Sequence, residues 1–131
     1  MKKYLIVGLG NIGDEYVNTR HNIGFDMLDF LINKLDLNFS NASFGSVCKY
    51  KYKGRSFIFL KPNTYMNLSG AAVQYWLKFE KIEISNLLII SDDLNLPFAK
   101  LRLKPSGSNG GHNGLKDIES CLNTTEYNRL R

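Results

Sequence analysis

Residues 3–8 read KYLIVG, a short apolar run that ends at a glycine, and residues 8–13 continue as GLGNIG. The run is far shorter than the roughly 20 apolar residues of a membrane span, and glycines interrupt it. It therefore predicts a first buried strand and not a signal peptide. The glycines that follow predict a sharp turn where the backbone approaches a ligand.

The same glycines match the spacing of a dinucleotide-binding fingerprint. In that motif the helix begins at the glycines, so that a pyrophosphate meets the helix N-terminus. Here the polar residues 14–16 come next, and helical periodicity starts only near Ile23. We therefore expect no nucleotide cofactor, and no other cofactor is predicted.

Hydrophobic periodicity predicts helices and strands in alternation. The predicted strands are residues 3–8, 45–53, 55–61, 86–91 and 98–104, with a further strand starting near 127, and the predicted helices are residues 23–35, 69–81 and 113–122. This order predicts an α/β fold: a single domain over residues 1–131, with a mixed β-sheet flanked by helices on both faces. If the strands ending near residues 8, 61 and 91 run parallel, the polar loops after them share one edge of the sheet.

Composition sets limits on function. The chain has 131 residues, 44% of them hydrophobic, which fits one folded domain. Its two cysteines, Cys48 and Cys121, make neither a disulfide framework nor a zinc site, so the cytoplasm is the expected compartment. The net charge of +5 is compatible with a nucleic-acid partner.

Two segments alternate cations with apolar or aromatic residues. Residues 100–104 read KLRLK, and residues 49–53 read KYKYK. On a strand, such alternation puts the cations on one face and their neighbours on the other. Each segment could be an ordinary solvated strand face or a stripe that follows phosphates.

Both histidines of the chain, His21 and His112, stand beside asparagines in polar loops. Histidine exchanges protons near neutral pH, and asparagine offers a neutral donor and acceptor. Asp92 follows a buried apolar run, where it could cap a turn or hold His21 in its basic form. No serine or cysteine lies in a nucleophile pattern, so the expected nucleophile is water activated by a His–Asp pair.

Other polar and aromatic residues of these loops have two interpretations. Asn67 and Asn113 could cap the helices that follow them or contact a substrate, and one role does not exclude the other. Tyr16 and Tyr65 could be core aromatics or platforms on which a base stacks. No cluster of residues has the spacing of metal ligands, and no metal is predicted.

Five motifs follow one another along the chain. They are Gly8-Leu9-Gly10-Asn11-x-Gly13, Tyr16-x-x-Thr19-Arg20-His21-Asn22, Lys61-Pro62-x-Thr64-Tyr65-Met66-Asn67-x-Ser69-Gly70, Asp92-x-Leu94-x-Leu96-Pro97 and Gly110-Gly111-His112-Asn113-Gly114-Leu115. In this order they resemble the bacterial peptidyl-tRNA hydrolases from the first strand to the last residue. Ile12 departs from the family's usual proline, and the residues after Asp92 depart from its usual turn.

The resemblance implies a role for each matched residue. His21 would be the base that activates water, Asp92 would hold it, and Asn11 would favour substrates with a blocked amino group. Asn113 would lie near the developing oxyanion, and His112 would support the site. The residues that would contact the substrate are Tyr16, Tyr65, Asn67 and Asn113, and Lys104 and Arg131 would clamp a tRNA phosphate.

The resemblance also implies a function: hydrolysis of the ester between peptide and tRNA, which recycles tRNA in translation without metal or cofactor. The expected partner is peptidyl-tRNA, and a cytoplasmic monomer without membrane contact is expected. Family members continue for roughly another third of their length, so the C-terminal part is expected to be missing, with weak binding and slow turnover. The alternatives are a non-catalytic RNA-binding relative, as among plant chloroplast splicing factors, and a small-molecule esterase or nucleotide-binding enzyme.

Overall fold

The structure is a computed structural model, and it describes residues 2–10, 23–63, 69–91, 103–104, 118, 121–122 and 127–130. For residues 23, 103, 104, 129 and 130 it describes the backbone alone. These residues form one mixed sheet with a helix packed on each face, which confirms the predicted architecture.

Seven strands and two helices are described. The strands are β1 (Lys2–Gly8), β2 (Ser40–Ala42), β3 (Gly45–Tyr52), β4 (Arg55–Pro62), β5 (Leu87–Ile90), β6 (Leu103–Lys104) and β7 (Asn128–Leu130). The helices are α1 (Ile23–Lys34) and α2 (Ser69–Phe79), and a 3₁₀ turn, Ile84–Asn86, precedes β5. The spatial order is β2-β3-β4-β1-β5-β7-β6.

The central strand β1 joins the two halves of the sheet. It runs parallel to β4 on one side and to β5 on the other, and β7 is parallel to β5. Three strands are antiparallel to the strands beside them: β2 pairs with β3, β3 pairs with β4, and β6 pairs with β7. Because β1 is covered on both faces, it is a nearly continuous apolar run, as in other buried parallel strands.

Each face of the sheet has its own core. Under α2, the buried residues include Leu5, Val7 and Leu60, all at 0% exposure. Under α1, Leu28 and Ile32 pack against the other face of the sheet. Full burial of one such side chain contributes roughly 1.5–3 kcal/mol, so these two layers dominate the stability of the fold.

Both helices end in the same way. At α1, Asp36 has a φ of 58° and the amide of Leu37 donates to the carbonyl of Ile32 at 3.0 Å. At α2, Lys81 has a φ of 57° and the amide of Ile82 donates to the carbonyl of Leu77 at 2.8 Å. This is the left-handed C-terminal cap that usually has glycine, and it stops each helix one or two residues before the predicted end.

β3 and β4 form the predicted hairpin. Tyr52 pairs with Arg55, and the two residues between them have positive φ, 51° at Lys53 and 77° at Gly54. Two successive positive φ angles define the type I′ turn, whose twist matches that of paired strands. Sequence analysis missed β2, because its three exposed residues show no apolar alternation.

The last predicted elements are described in part. Residues 118 and 121–122 are helical, in agreement with the predicted helix 113–122, and β7 confirms the final strand. Of the predicted strand 98–104, only β6 lies within the described residues.

A carboxylate ties α2 to the amino end of β1. Glu80, 9% exposed, accepts hydrogen bonds from Lys3 at 3.2 Å and contacts Lys49 at 3.1 Å. Burial by itself raises the pKa of the Glu80 carboxyl, but the hydrogen bonds and charges of Lys49 and Lys3 outweigh it and lower the pKa below its ordinary value. This end of the sheet is therefore held by charge as well as by packing.

Candidate active site

The carboxyl ends of three parallel strands meet at one edge of the sheet. Val7 pairs with Leu60 on β4, and Gly8 pairs with Ile90 on β5. Ile90 in turn pairs with Leu130 on β7, beside Leu103 of β6. We expect the polar loops to share one edge if the strands ending near residues 8, 61 and 91 run parallel. The pairing confirms that these strands are parallel. We call this edge the carboxyl edge.

Backbone packs directly against backbone where α1 begins. A Cβ on Gly24 would lie 2.4 Å from the nitrogen of Leu9 and 2.6 Å from the carbonyl oxygen of Ile90. A Cβ on Gly8 would lie 2.4 Å from the oxygen of Gly24. The amide of Leu9 donates to the carbonyl of Ile90 at 2.9 Å. Only glycine allows the start of α1 to contact the ends of β1 and β5 in this way.

Lys61 joins α1 to the end of β4. Its ammonium group lies 2.5 Å from the carboxylate of Asp29, and it lies over the rings of Phe39 and Phe25, 4.5 and 5.8 Å from their centroids. Phe25 also fills the space beside Gly10, where a Cβ would lie 2.7 Å from the ring. Lys61 thus holds the end of β4 against the start of α1, and Phe25 holds the start of α1 against the chain after β1.

Ser91 is a buried hydroxyl at the same edge. It directly follows β5 and is 1% exposed, and its Oγ has no hydrogen-bond partner among the residues that the structure describes. Buried hydroxyls are normally hydrogen-bonded. Ser91 therefore supplies a donor and an acceptor one residue before Asp92.

Some of the predicted site residues belong to segments that directly follow β1, β4 or β5 along the chain. Asn11 follows Gly10, Asp92 follows Ser91, and His21 stands two residues before α1. The side chains of all predicted site residues, which are Asn11, Tyr16, His21, Tyr65, Asn67, Asp92, Lys104, His112, Asn113 and Arg131, lie outside the described residues. The backbone of Lys104 is described: it lies on β6 and pairs with Arg129 on β7, and Arg131 directly follows that strand.

Sequence analysis did not single out Lys61 or Ser91 for a role of their own. Lys61 belongs to the third motif of the family resemblance. Its partner Asp29 lies in the predicted helix 23–35, and nothing in the sequence indicates that the two form an ion pair. Ser91 is the last residue of the predicted apolar strand 86–91, and its sequence position alone gives it no further role. Among the described residues, no group of His, Cys, Asp and Glu could hold a metal ion. No described helix combines the length and the apolar character that crossing a membrane requires.

A model of the peptidyl-tRNA hydrolase family matches residues 5–131 of the chain. The chain belongs to the peptidyl-tRNA hydrolase family. The activity that names this family is hydrolysis of the ester bond of peptidyl-tRNA.

Curated relatives agree with this assignment. The peptidyl-tRNA hydrolases of Parabacteroides distasonis and Phocaeicola vulgatus are each 57% identical over 129 residues, which is 98% of this chain and 69% of theirs. The peptidyl-tRNA hydrolase of Clostridium botulinum is 46% identical over the same share of this chain. These relatives are all named hydrolases, and none favours the non-catalytic alternative.

Solved structures show the same fold. The peptidyl-tRNA hydrolase from Acinetobacter baumannii superposes with a TM-score of 0.91 at 40% identity, covering 98% of this chain and 66% of that one. A peptidyl-tRNA hydrolase solved in complex with N-propanol gives the same values. The chain thus spans about two thirds of the length of its relatives.

Proposed function

We propose that this chain hydrolyses the ester between a peptide, or an N-blocked aminoacyl group, and tRNA. The observation that carries the proposal is the family match over residues 5–131, together with the parallel strand ends of β1 and β5, after which the segments of Asn11 and Asp92 continue along the chain. An ester is reactive enough to be cleaved by activated water, and asparagine dipoles can stabilise the tetrahedral oxyanion.

The proposed machinery combines a base with neutral dipoles. His21 removes a proton from water as the water attacks the ester carbonyl, and it returns the proton to the leaving ribose oxygen. Asp92 fixes the tautomer of His21 and stabilises its protonated form. Asn113 donates to the oxyanion, with His112 supporting its loop, and Asn11 selects substrates whose amino group is blocked.

Substrate binding uses the aromatic and basic residues of the neighbouring segments. Tyr16, Tyr65 and Asn67 contact the peptidyl-tRNA end in this proposal. Lys104 and Arg131 clamp a phosphate of the tRNA, and the paired strands β6 and β7 support this role because they bring the backbones of Lys104 and Arg129 side by side. Phosphate contacts make tRNA affinity depend steeply on salt.

We also propose the setting in which the protein works. Residues 1–131 form one domain, since a single sheet with a core on each face accounts for the described residues. The protein acts as a monomer in the cytoplasm, where a chain with two cysteines and no disulfide framework is stable. Light scattering during size-exclusion chromatography and fractionation of cells test these two expectations.

The test is release of labelled amino acid from N-acetyl-aminoacyl-tRNA, compared with unblocked aminoacyl-tRNA. We expect cleavage of the blocked substrate alone. His21→Ala should lower kcat by about 10²–10⁴-fold, the usual contribution of general acid–base catalysis. Binding of tRNA should be retained, since the proposal assigns the phosphate contacts to Lys104 and Arg131.

The second histidine provides the matched control. His112→Ala makes the same substitution in the other histidine–asparagine loop, and we expect it to lower the rate much less than His21→Ala. Equal losses in the two variants would contradict the assignment of the base. Salt-sensitive tRNA binding without any cleavage would favour an RNA-binding protein, and cleavage of simple esters without tRNA affinity would favour a small-molecule esterase.

A further inference from the structure

The segment that contains the β3–β4 hairpin has an unusual charge distribution. Residues 37–79 contain no Asp or Glu, while residues 49–55 read KYKYKGR. Two cations of the wider segment are neutralised from outside it, Lys49 by Glu80 and Lys61 by Asp29. Lys53 and Arg55 have no acidic partner among the described residues.

Aromatic rings form a row on the face of the sheet that bears these free cations. Tyr52 is 52% exposed, and its ring stacks beside that of Tyr50, with centroids 6.1 Å apart and planes 11° apart. Phe57 continues the row at 6.4 Å from Tyr50, and Tyr4 stacks on Phe57 at 5.4 Å. Helix α1 covers the other end of this face, so the exposed ring of the row is Tyr52 at the hairpin, and Tyr50 is half-buried.

The cations flank the exposed end of the row. The ammonium group of Lys53 lies 5.3 Å from the centroid of Tyr52. Register places Arg55 opposite Tyr52 on one side and Lys2 on the other, and all three are exposed. We call Tyr50, Tyr52, Lys53 and Arg55 the hairpin patch.

The backbone at Lys53 makes this residue a useful position for a test substitution. Its φ of 51° is the left-handed conformation that a type I′ turn requires and that asparagine or glycine adopts most easily. A lysine there makes the turn less stable than it could be. Lys81 has the same conformation after α2, so the positive φ alone assigns no function to either lysine.

The hairpin patch lies far from the candidate active site. β4 begins beside the patch at Arg55 and ends at the carboxyl edge at Pro62. At about 3.3 Å per residue, this strand separates the two places by roughly 20 Å. A ligand on the patch therefore leaves the carboxyl edge open.

We propose that the hairpin patch binds an unpaired strand of RNA that is separate from the peptidyl-tRNA substrate. An exposed ring beside a half-buried one, with flanking cations in a segment that contains no acid, suits unpaired RNA, because its bases stack on aromatic side chains and its phosphates contact cations. An acidic peptide would use the charges but leave the ring row without a role. The inference does not depend on the proposed hydrolysis, because the RNA needs no ester.

The test measures binding of a fluorescent, unstructured RNA oligonucleotide of about ten nucleotides to the whole chain by anisotropy, over a series of salt concentrations. Lys53→Asn should weaken binding about three- to tenfold and reduce the magnitude of the salt slope by about 0.7, the value of one phosphate contact with a single strand. The same variant should unfold about 3 °C higher, because asparagine suits the turn. Tyr52→Leu, which keeps an apolar side chain, should weaken binding about tenfold.

A matched control is present in the chain. Lys81 is also an exposed lysine with positive φ, but it follows α2 and lines a surface pocket with Glu80 and Glu83, away from the hairpin turn. Lys81→Asn should raise the unfolding temperature similarly and leave RNA affinity unchanged, and the rate of ester hydrolysis should be the same in both lysine variants. Equal effects of the two variants on binding, no effect of Tyr52→Leu, or displacement of the RNA by an acidic peptide at equal concentration would each overturn the proposal.

Discussion

The two ends of β1 are built on different principles. At the carboxyl edge, the backbones of Gly8, Leu9 and Gly24 are in direct contact, and there is no space for a further carbon atom. At the amino end, the contacts are made by long side chains, with Glu80 between two lysines, and Gly54 at the nearby hairpin turn has no atom within 4 Å of an added Cβ. The carboxyl edge therefore depends on exact fit, whereas the amino end tolerates change.

The largest effect should come from adding one methyl group at the carboxyl edge. Gly24→Ala places a Cβ within 2.6 Å of three backbone atoms that cannot move without shifting β1 or β5. We expect a loss of about 3 kcal/mol or more in the free energy of unfolding, or failure to fold. Chemical denaturation followed by circular dichroism measures it, and a loss below about 1 kcal/mol would contradict the close packing.

A glycine-to-alanine substitution at the β3–β4 turn should have a smaller effect, and its cause is different. Gly54→Ala meets no neighbouring atom, so only the positive φ of 77° opposes it. A left-handed conformation costs an alanine about 1–2 kcal/mol. Denaturation of the two glycine variants side by side sharpens the comparison, and an equal loss in both would show that crowding at the carboxyl edge costs no more than the positive φ at Gly54.

The charged contact at the amino end should make the smallest difference at neutral pH. Glu80→Gln keeps the shape of the side chain but removes its charge, and both lysine partners are largely exposed, so we expect a loss of about 1 kcal/mol or less. Because the folded pKa of Glu80 is lowered, its contribution is complete above the ordinary glutamate pKa of about 4.3 and is lost as the pH falls through the folded value.

Thermal unfolding at a series of pH values separates this contribution from the rest. The stability difference between wild type and Glu80→Gln should be constant near neutral pH and shrink below about pH 4.3. A difference that stayed the same down to the acid limit would mean that Glu80 acts through packing and not through its charge. Lys81, the next residue, has no part in the ion pairs described and provides a neighbouring control position.

Much of the fold follows from the sequence because most strands and helices bury a periodic apolar face. The bounds of β1, β3, β4, β5, α1 and α2 fall within one or two residues of those predicted. The features that the sequence did not predict are strand β2 and the exact helix ends, and no pattern of apolar residues marks them. β2 is exposed at every position, and the helix caps at Asp36 and Lys81 place non-glycine residues where glycine is the usual sign of an end.

The candidate site was less accessible to sequence reasoning. Motif order led to the family, and the family match confirms that step. Periodicity contains no information on which strands are neighbours, so the junction of Lys61 with Asp29 and Phe25 could not be foreseen. The roles of His21, Asp92 and the asparagines remain predictions for the assays described above.

The central position of β1 also has a consequence for biosynthesis. β1 leaves the ribosome before both of the strands that flank it, because Lys2 pairs with Arg55 and Leu5 pairs with Leu87 on its other side. At roughly 5–20 residues per second, the first of these neighbours arrives several seconds later and the second later still. During that interval an apolar strand has two open edges, which makes nascent chains of this protein dependent on protection from aggregation until β5 has emerged.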